Sequence, residues 1–274
     1  MRVSLMEFVK RLEASIDRVG KRLEAYLWDQ NPENTHDVRT GIRRMQASFN
    51  LLPRSIRKGK RVDDYMDSCM TFFRISTKSR DIDTILNLIQ NYEVPDDSST
   101  SSVISNLTKD RASLLKDARK GALSFQESTK PYFKNSELSK KKIVRRFEKQ
   151  TQKLATRINA KASEVLEGYA SSSEDLHMLR KDCKKLRYMI ELVQNPRSES
   201  KVLKKLSEWQ DVLGHLHDLD VTIEFLKKLS SPKEIKWSEP ILVKLLEERR
   251  KSLDQMIMTS KKESTWPMVE PVKA

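Results

Sequence analysis

Along the first thirty residues the apolar positions Leu5, Phe8, Leu12, Ile16, Val19, Leu23 and Tyr26 advance by threes and fours. That spacing draws one stripe along an α-helix. Pro32 and Asn34 fall in the gap that follows, where Thr35 is placed to cap a helix beginning at His36. Pro53 ends that helix, because proline lacks an N–H and clashes with the preceding turn. The run R-S-I-R-K-G-K-R (54–61) reads as a basic connection. Helices are predicted over 62–75 and 80–92, then over 103–126 after the polar, capping stretch P-D-D-S-S-T-S-S at 95–102.

Beyond a break at Pro131, the positions Ile143, Phe147, Leu154, Ile158 and Val165 mark a long amphipathic helix over 138–169. Serines 171–173 interrupt it, a helix over 176–193 follows, and Pro196 stops that one. Helical segments are predicted over 201–213, 219–229 and 239–257. Residues 259–274, with Pro267 and Pro271, read as a flexible tail. No stretch alternates β-branched and aromatic residues long enough for a strand. The fold class is all-α.

The order of patterns repeats. His36-Asp37-Val38-Arg39 precedes Arg43-Arg44-Met45, and His177-Met178-Leu179-Arg180 precedes Lys184-Lys185-Leu186-Arg187. Further on, Arg80-Asp81-Ile82-Asp83 answers to His217-Asp218-Leu219-Asp220. The expectation is two similar antiparallel helical bundles related by an internal pseudo-twofold repeat. The first spans 1–134 and the second 135–258, and together they form one domain.

At about 100° per residue, with His36 at the origin, Arg39 and Arg43 fall within about 60° of it while Val38, Ile42, Met45 and Phe49 cluster opposite. His177, Arg180, Lys184 and Arg187 follow the same plan against Leu179, Cys183, Leu186 and Ile190. Like charges three or four residues apart destabilise a helix by a few tenths of about 1 kcal/mol. Neither Asp37 nor Asp182 lies on these stripes, and Glu191 is the nearest acid along the second. Two stripes short of local carboxylates imply a negative charge supplied from elsewhere. The whole chain agrees, with 53 Lys and Arg against 39 Asp and Glu and a formal net charge of +14.

Other composition narrows the classes. The two cysteines, Cys69 and Cys183, lie inside apolar patterns, which argues against disulfides and Cys-ligated metal. No apolar run approaches the roughly 18 residues of a membrane span, so no membrane insertion and a cytoplasmic location are expected. His215 and His217 point about 200° apart if helical, which disfavours a shared metal. The alternative for that stretch is a turn at Gly214-His215, with Asp218 or Asp220 capping the next helix; Asp81 and Asp83 would cap in the first half or pair with the stripe arginines.

The doubled motifs H-D-V-R-T-G-I-R-R-M and H-M-L-R-K-D-C-K-K-L-R-Y, together with L-S-E-W-Q-D-V-L-G-H-L-H-D-L-D (206–220), resemble the CHAD family, the conserved-histidine α-helical domain. The likeness runs from about residue 5 to 257. It implies two similar helical bundles with a basic surface or cavity between them that binds inorganic polyphosphate, in some members on polyphosphate granules. The resemblance carries the binding positions to His36, Arg39, Arg43, Arg44, His177, Arg180, Lys184, Lys185 and Arg187. Arg145 and Arg146 are added because their helix precedes the second stripe. Gln46 stands where a further Arg is common in the family, while its counterpart Arg187 fits.

Arginine suits phosphate through its planar two-bond fork, and lysine as a point charge. No nucleophile–base–orienter set, P-loop or dinucleotide fingerprint is present. A non-catalytic polyphosphate binder needing no cofactor is therefore expected. The alternatives are RNA binding on the same surface, which would be weak for want of interleaved aromatics, and a phosphohydrolase or phosphotransferase using His36 or His177. Oligomeric state is not encoded in these patterns.

Overall fold

The chain's computed structural model describes residues 4–92, 98–169, 171–193 and 201–262, without the side chains of Ser98, Ser99, Asn135 and Lys262. The described residues form helices and no strand. In order these are α1 (Leu5–Trp28), α2 (Pro32–Phe49), a single turn α3 (Arg54–Arg57), α4 (Lys60–Asn91), α5 (Ser98–Glu127), α6 (Lys140–Leu166), α7 (Ser173–Val193), α8 (Lys201–Lys227) and α9 (Pro232–Lys262).

Local chemistry sets most of the ends. The Ser4 hydroxyl accepts from the Glu7 N–H at 3.1 Å, and the Ser139 hydroxyl from Lys142 N–H at 3.4 Å. Ser231 and Glu234 form a reciprocal box at the head of α9, with Pro232 in the first turn where its missing N–H costs nothing. Past α6, Gly168 takes φ +85°, and Tyr169 N–H reaches back to Glu164 C=O at 2.8 Å. That left-handed closure needs glycine.

Several boundaries differ from the pattern reading. The cap of α2 is Asn31, whose side chain accepts from Asn34 N–H at 2.7 Å, so the helix begins at Pro32 and Thr35 is buried inside it. The basic run 54–61 holds the turn α3 and the start of α4. The predicted helices 62–75 and 80–92 are one helix, as are 201–213 and 219–229. Gly214 and His215 lie in the body of α8 and form no turn, and Asp218 and Asp220 cap nothing. Helix α9 runs to Lys262, beyond the expected tail boundary. The residues 93–97 of the polar stretch, Pro196 and the tail residues 263–274 lie outside the described residues.

Four helices close a central square: α2 packs on α7, α7 on α8, α8 on α4, and α4 on α2. Around it α1 covers α2, α5 covers α4, α6 covers α7 and α9 covers α8. The larger core holds fully buried Phe8, Leu12, Tyr26, Phe72, Phe147 and Ile158. Burying each such side chain contributes about 1.5–3 kcal/mol. A second core joins Ile85, Ile89, Val103, Leu219, Ile223, Trp237 and Ile241 from the later parts of α4 and α8 and the early parts of α5 and α9. Between the two cores, α4 and α8 run polar, through S-T-K-S-R-D and G-H-L-H-D. The candidate site is built there.

Candidate polyanion site

Why α4 stays helical across its polar middle is visible in its hydroxyls. Ser76 and Thr77 both donate to Phe73 C=O, at 3.2 and 2.9 Å, and Ser79 donates to Ser76 C=O at 3.2 Å. Their small side chains leave room for Arg39 of α2, whose Nη1 donates to Phe73 C=O at 2.6 Å, Ser76 Oγ at 3.0 Å and Thr77 Oγ1 at 3.1 Å. Its guanidinium also lies 4.1 Å from the centre of the Phe73 ring. Arg39 is 8% exposed, and burial followed by the nearby Arg43 brings its pKa down to about 10. The first stripe therefore faces α4 at this position. Arg39 anchors two helices and contributes its charge to the site through the packing.

Around that anchor the square gathers a group of cations. Arg43 sits with its guanidinium 5.1 Å from the Phe73 ring, and burial lowers its proton affinity. Arg180 of α7 feels burial first and Arg43 next, and its buried Nε has no hydrogen-bond partner. Lys184, one turn on, is brought to about 7 by burial, then by Arg180 and Arg43. Arg80 of α4 bears on His36, Arg39 and Arg180 alike. Two carboxylates share the space, Asp81 of α4 and Asp218 of α8. Burial raises both, and the arginines lower them in part. Five cations against two acids leave an excess of positive charge in a partly dry setting, where unit charges interact far more strongly than in water.

The histidines line the same space. His36 keeps part of its ring open to solvent, 3.3 Å from Thr40 Oγ1, and partial desolvation, then Arg80 and Lys184, lower its pKa. His177 is lowered by burial and then by Lys181 and Arg180. It lies against His217 of α8, which burial, then Arg180 and His177, hold at about 3. His215, two residues before, faces the other way and meets Glu248 Oε1 at 3.0 Å. Among the described residues no cluster of three or more His, Cys, Asp or Glu is placed to hold a metal ion.

The square does not bring every expected residue together. Arg44 and Arg187 both reach Glu191, at 3.5 and 2.7 Å, and Arg187 Nη1 also bonds Gln210 Oε1 at 3.0 Å. Arg187 is thus neutralised along its own helix by the acid one turn on, and Arg44 from across the α2–α7 contact by the same carboxylate. Lys185 turns towards α6, where Arg157, Lys153 and Arg146 lower its pKa after burial. Arg146 Nε donates to Asn50 C=O, and Arg145 is exposed on α6 outside the cluster. Conversely, Arg80, Asp81, His217 and Asp218 belong to the cluster although the stripes did not contain them. The signal for them was the R-D-I-D and H-D-L-D echo.

The acids left over in that echo have their own work. Asp83 takes Arg111 Nε of α5, and Asp220 takes Arg249 Nε of α9. Arg111 then reaches Gln30 C=O before α2, and Arg249 reaches Ser171 C=O before α7. These acids therefore pair with outer-helix arginines and not with the stripes.

Beside the cluster, α2, α4 and α7 enclose a cavity of about 370 Å³ lined by Arg43, Gln46, Asn50, Met70, Phe73, Lys184 and Tyr188, among others. No described helix is long and apolar enough to cross a membrane.

Comparison with known proteins agrees with this architecture. The chain is similar to the crystal structure of the CHAD domain from the plant Ricinus communis, at 16% identity and a TM-score of 0.56, over 96% of this chain and 88% of that one. At that identity the likeness speaks for the fold. No curated protein sequence matches the chain. The CHAD domain pattern matches residues 10–227, which hold α2, α4, α7, α8 and the whole cationic cluster. The chain belongs to the CHAD domain family.

Proposed function

We propose that this protein binds inorganic polyphosphate, without cleaving it, in the basic space enclosed by α2, α4, α7 and α8. One observation carries the reading: Arg39, Arg43, Arg80, Arg180 and Lys184 converge and, among the described residues, outnumber the carboxylates Asp81 and Asp218 that share their space. Each added cation depresses its neighbours, so the empty site is electrostatically unfavourable and a polyanion relieves it. The family's link to polyphosphate points to the same ligand. His36 and His177 serve as hydrogen-bond donors that gain a proton when phosphate arrives. Holding rather than hydrolysis is supported by the scarcity of acids among these cations: Asp81 and Asp218 lie in the field of the arginines, which disfavours their clamping the divalent metals that phosphate cleavage recruits. In a cell that stores polyphosphate, such a protein would sit in the cytoplasm and collect on the granules.

The test is a filter-binding titration of long-chain polyphosphate at several salt concentrations. The affinity is expected to fall linearly on a log–log plot as counterions are released. Arg43→Glu with Arg180→Glu should abolish binding while helicity by circular dichroism is retained. Two side assays separate the alternatives: RNA should displace polyphosphate poorly, and no orthophosphate should be released with Mg²⁺ or Mn²⁺. Unchanged affinity in the double variant would end this assignment.

A further inference from the structure

The cavity between α2, α4 and α7 is unlike the cluster it adjoins. Its cations are Arg43 of α2 and Lys181, Lys184 and Lys185 of α7. The remaining wall is Ala47, Met70, Phe73 and Tyr188, an apolar and aromatic surface, with Asp182, which pairs with Arg157 of α6, beside the lysines. Gln46 of α2 and Asn50, the residue that caps its C-terminal end, add two amides. Neither side-chain amide is hydrogen-bonded within the described protein, so both keep donors and acceptors available. Gln46 stands at the position that Arg187 fills in the second stripe, so an amide replaces a cation here.

A bare phosphate chain has no use for such a wall. It presents acceptors on every side, gains nothing from a thioether or ring, and would be better met by an arginine than by Gln46. Small-molecule sites, by contrast, are commonly about 300–1,000 Å³, mostly apolar, with a few polar groups that fix orientation. At about 370 Å³ this cavity is of that kind. A flat heterocycle carrying both donors and acceptors matches aromatic walls and paired amides, and stacking on aromatics is tolerant of which base is offered.

We infer that this protein also takes nucleoside triphosphates, the base held in the cavity by Gln46, Asn50, Phe73 and Tyr188 and the phosphates running onto Arg43, Lys184 and Arg180. This rests on the phosphate-binding reading above and adds to it a pocket for a non-phosphate group. No bond forms or breaks.

The experiment compares ATP with tripolyphosphate by calorimetry on the full chain, without added metal. Tripolyphosphate carries at least as much charge as ATP at neutral pH, so a purely electrostatic site prefers it or binds the two alike. The pocket predicts that ATP binds about tenfold more tightly, the worth of one or two ordinary hydrogen bonds. Gln46→Leu, a volume-conserving change on a half-buried position, should erase most of that preference and leave tripolyphosphate within about twofold of the parent. If tripolyphosphate binds and ATP does no better, or if Gln46→Leu weakens both equally, the base pocket is refuted and the phosphate site stands. If neither they nor long polyphosphate bind, the phosphate reading itself fails and this one with it.

Discussion

His177 of α7 and His217 of α8 lie ring against ring, their centroids 4.8 Å apart and their planes inclined by 38°. Neutral imidazoles tolerate that arrangement and two imidazoliums do not. Burial and then Arg180 keep His217 at about 3, below its usual 6.5. In an NMR titration of the free protein His217 should therefore remain neutral at pH 5, and saturating polyphosphate should raise the proton affinity of His177. A His217 that titrates near 6.5 in the free protein would contradict the geometry. The same pair predicts acid sensitivity. The unfolded chain takes up a proton near 6.5 that the folded chain takes only near 3, so stability falls as the pH drops through that window.

Lys184 carries the pH dependence of binding. Its ammonium is brought to about 7 by burial first, then by Arg180 and Arg43, so at pH 8.5 the free protein holds it largely neutral. A polyanion favours the charged form, and binding at pH 8 should take up a proton. Calorimetry in buffers of different ionisation enthalpy reads that uptake, and affinity should drop about three- to tenfold between pH 6 and 8.5. For folding, the unfolded chain keeps the proton to about 10.5, so stability rises with pH above 7. Lys184→Met should accordingly stabilise the free protein by about 1 kcal/mol at pH 6 while weakening polyphosphate.

Glu191 restrains two cations that would otherwise add to the field. It meets Arg187 at 2.7 Å and Arg44 at 3.5 Å. Glu191→Gln should tighten long polyphosphate by about three- to tenfold and steepen the salt dependence by about one unit of slope. A decrease in affinity would show that Glu191 positions these arginines productively.

Charge reversal ranks the cations by place. Arg43→Glu should weaken polyphosphate by at least about 100-fold, since it removes one contact and plants a repulsive one amid Arg180 and Lys184. Arg145→Glu, exposed on α6, should change affinity by about twofold or less. Equal losses at both positions would mean that net charge alone decides binding.

Asp83 tests the frame that holds the square. Its carboxylate, 3% exposed, receives Arg111 from α5. Asp83→Ala strands that guanidinium and should cost about 3–5 kcal/mol in urea unfolding. Asp83→Leu with Arg111→Met should recover most of it, because removing both charges removes the desolvation penalty as well.

What could be read from the chain followed from hydrophobic period. Leu5 to Tyr26 and Ile143 to Val165 each keep one apolar face, and both are helices with that face buried. The stripes of α2 and α7 were legible too, because a helix fixes which of its own residues are neighbours, and Arg43, Arg180 and Lys184 do converge. The period failed at the site. Residues 76–79 and 214–218 read as breaks since serines, a glycine and charges replace the apolar residues there. Yet both are mid-helix, and in α4 the stretch is held by hydroxyls bonding back to their own turn and by Arg39 filling the space above Ser76. Functional positions are where local pattern and fold diverge.

Sequence by itself determined the helices, their buried faces, the excess of positive charge and the doubled order of the His and Arg motifs, because all of these depend on neighbours within a few residues. The partners across helices were decided by the tertiary structure: Glu191 turning to Arg44, Arg39 turning inward to α4, Lys185 turning to α6, and Arg80, His217 and Asp218 joining the cluster. Electrostatic balance is a sum over distances in space, and helical periodicity gives those distances along one helix but not between two.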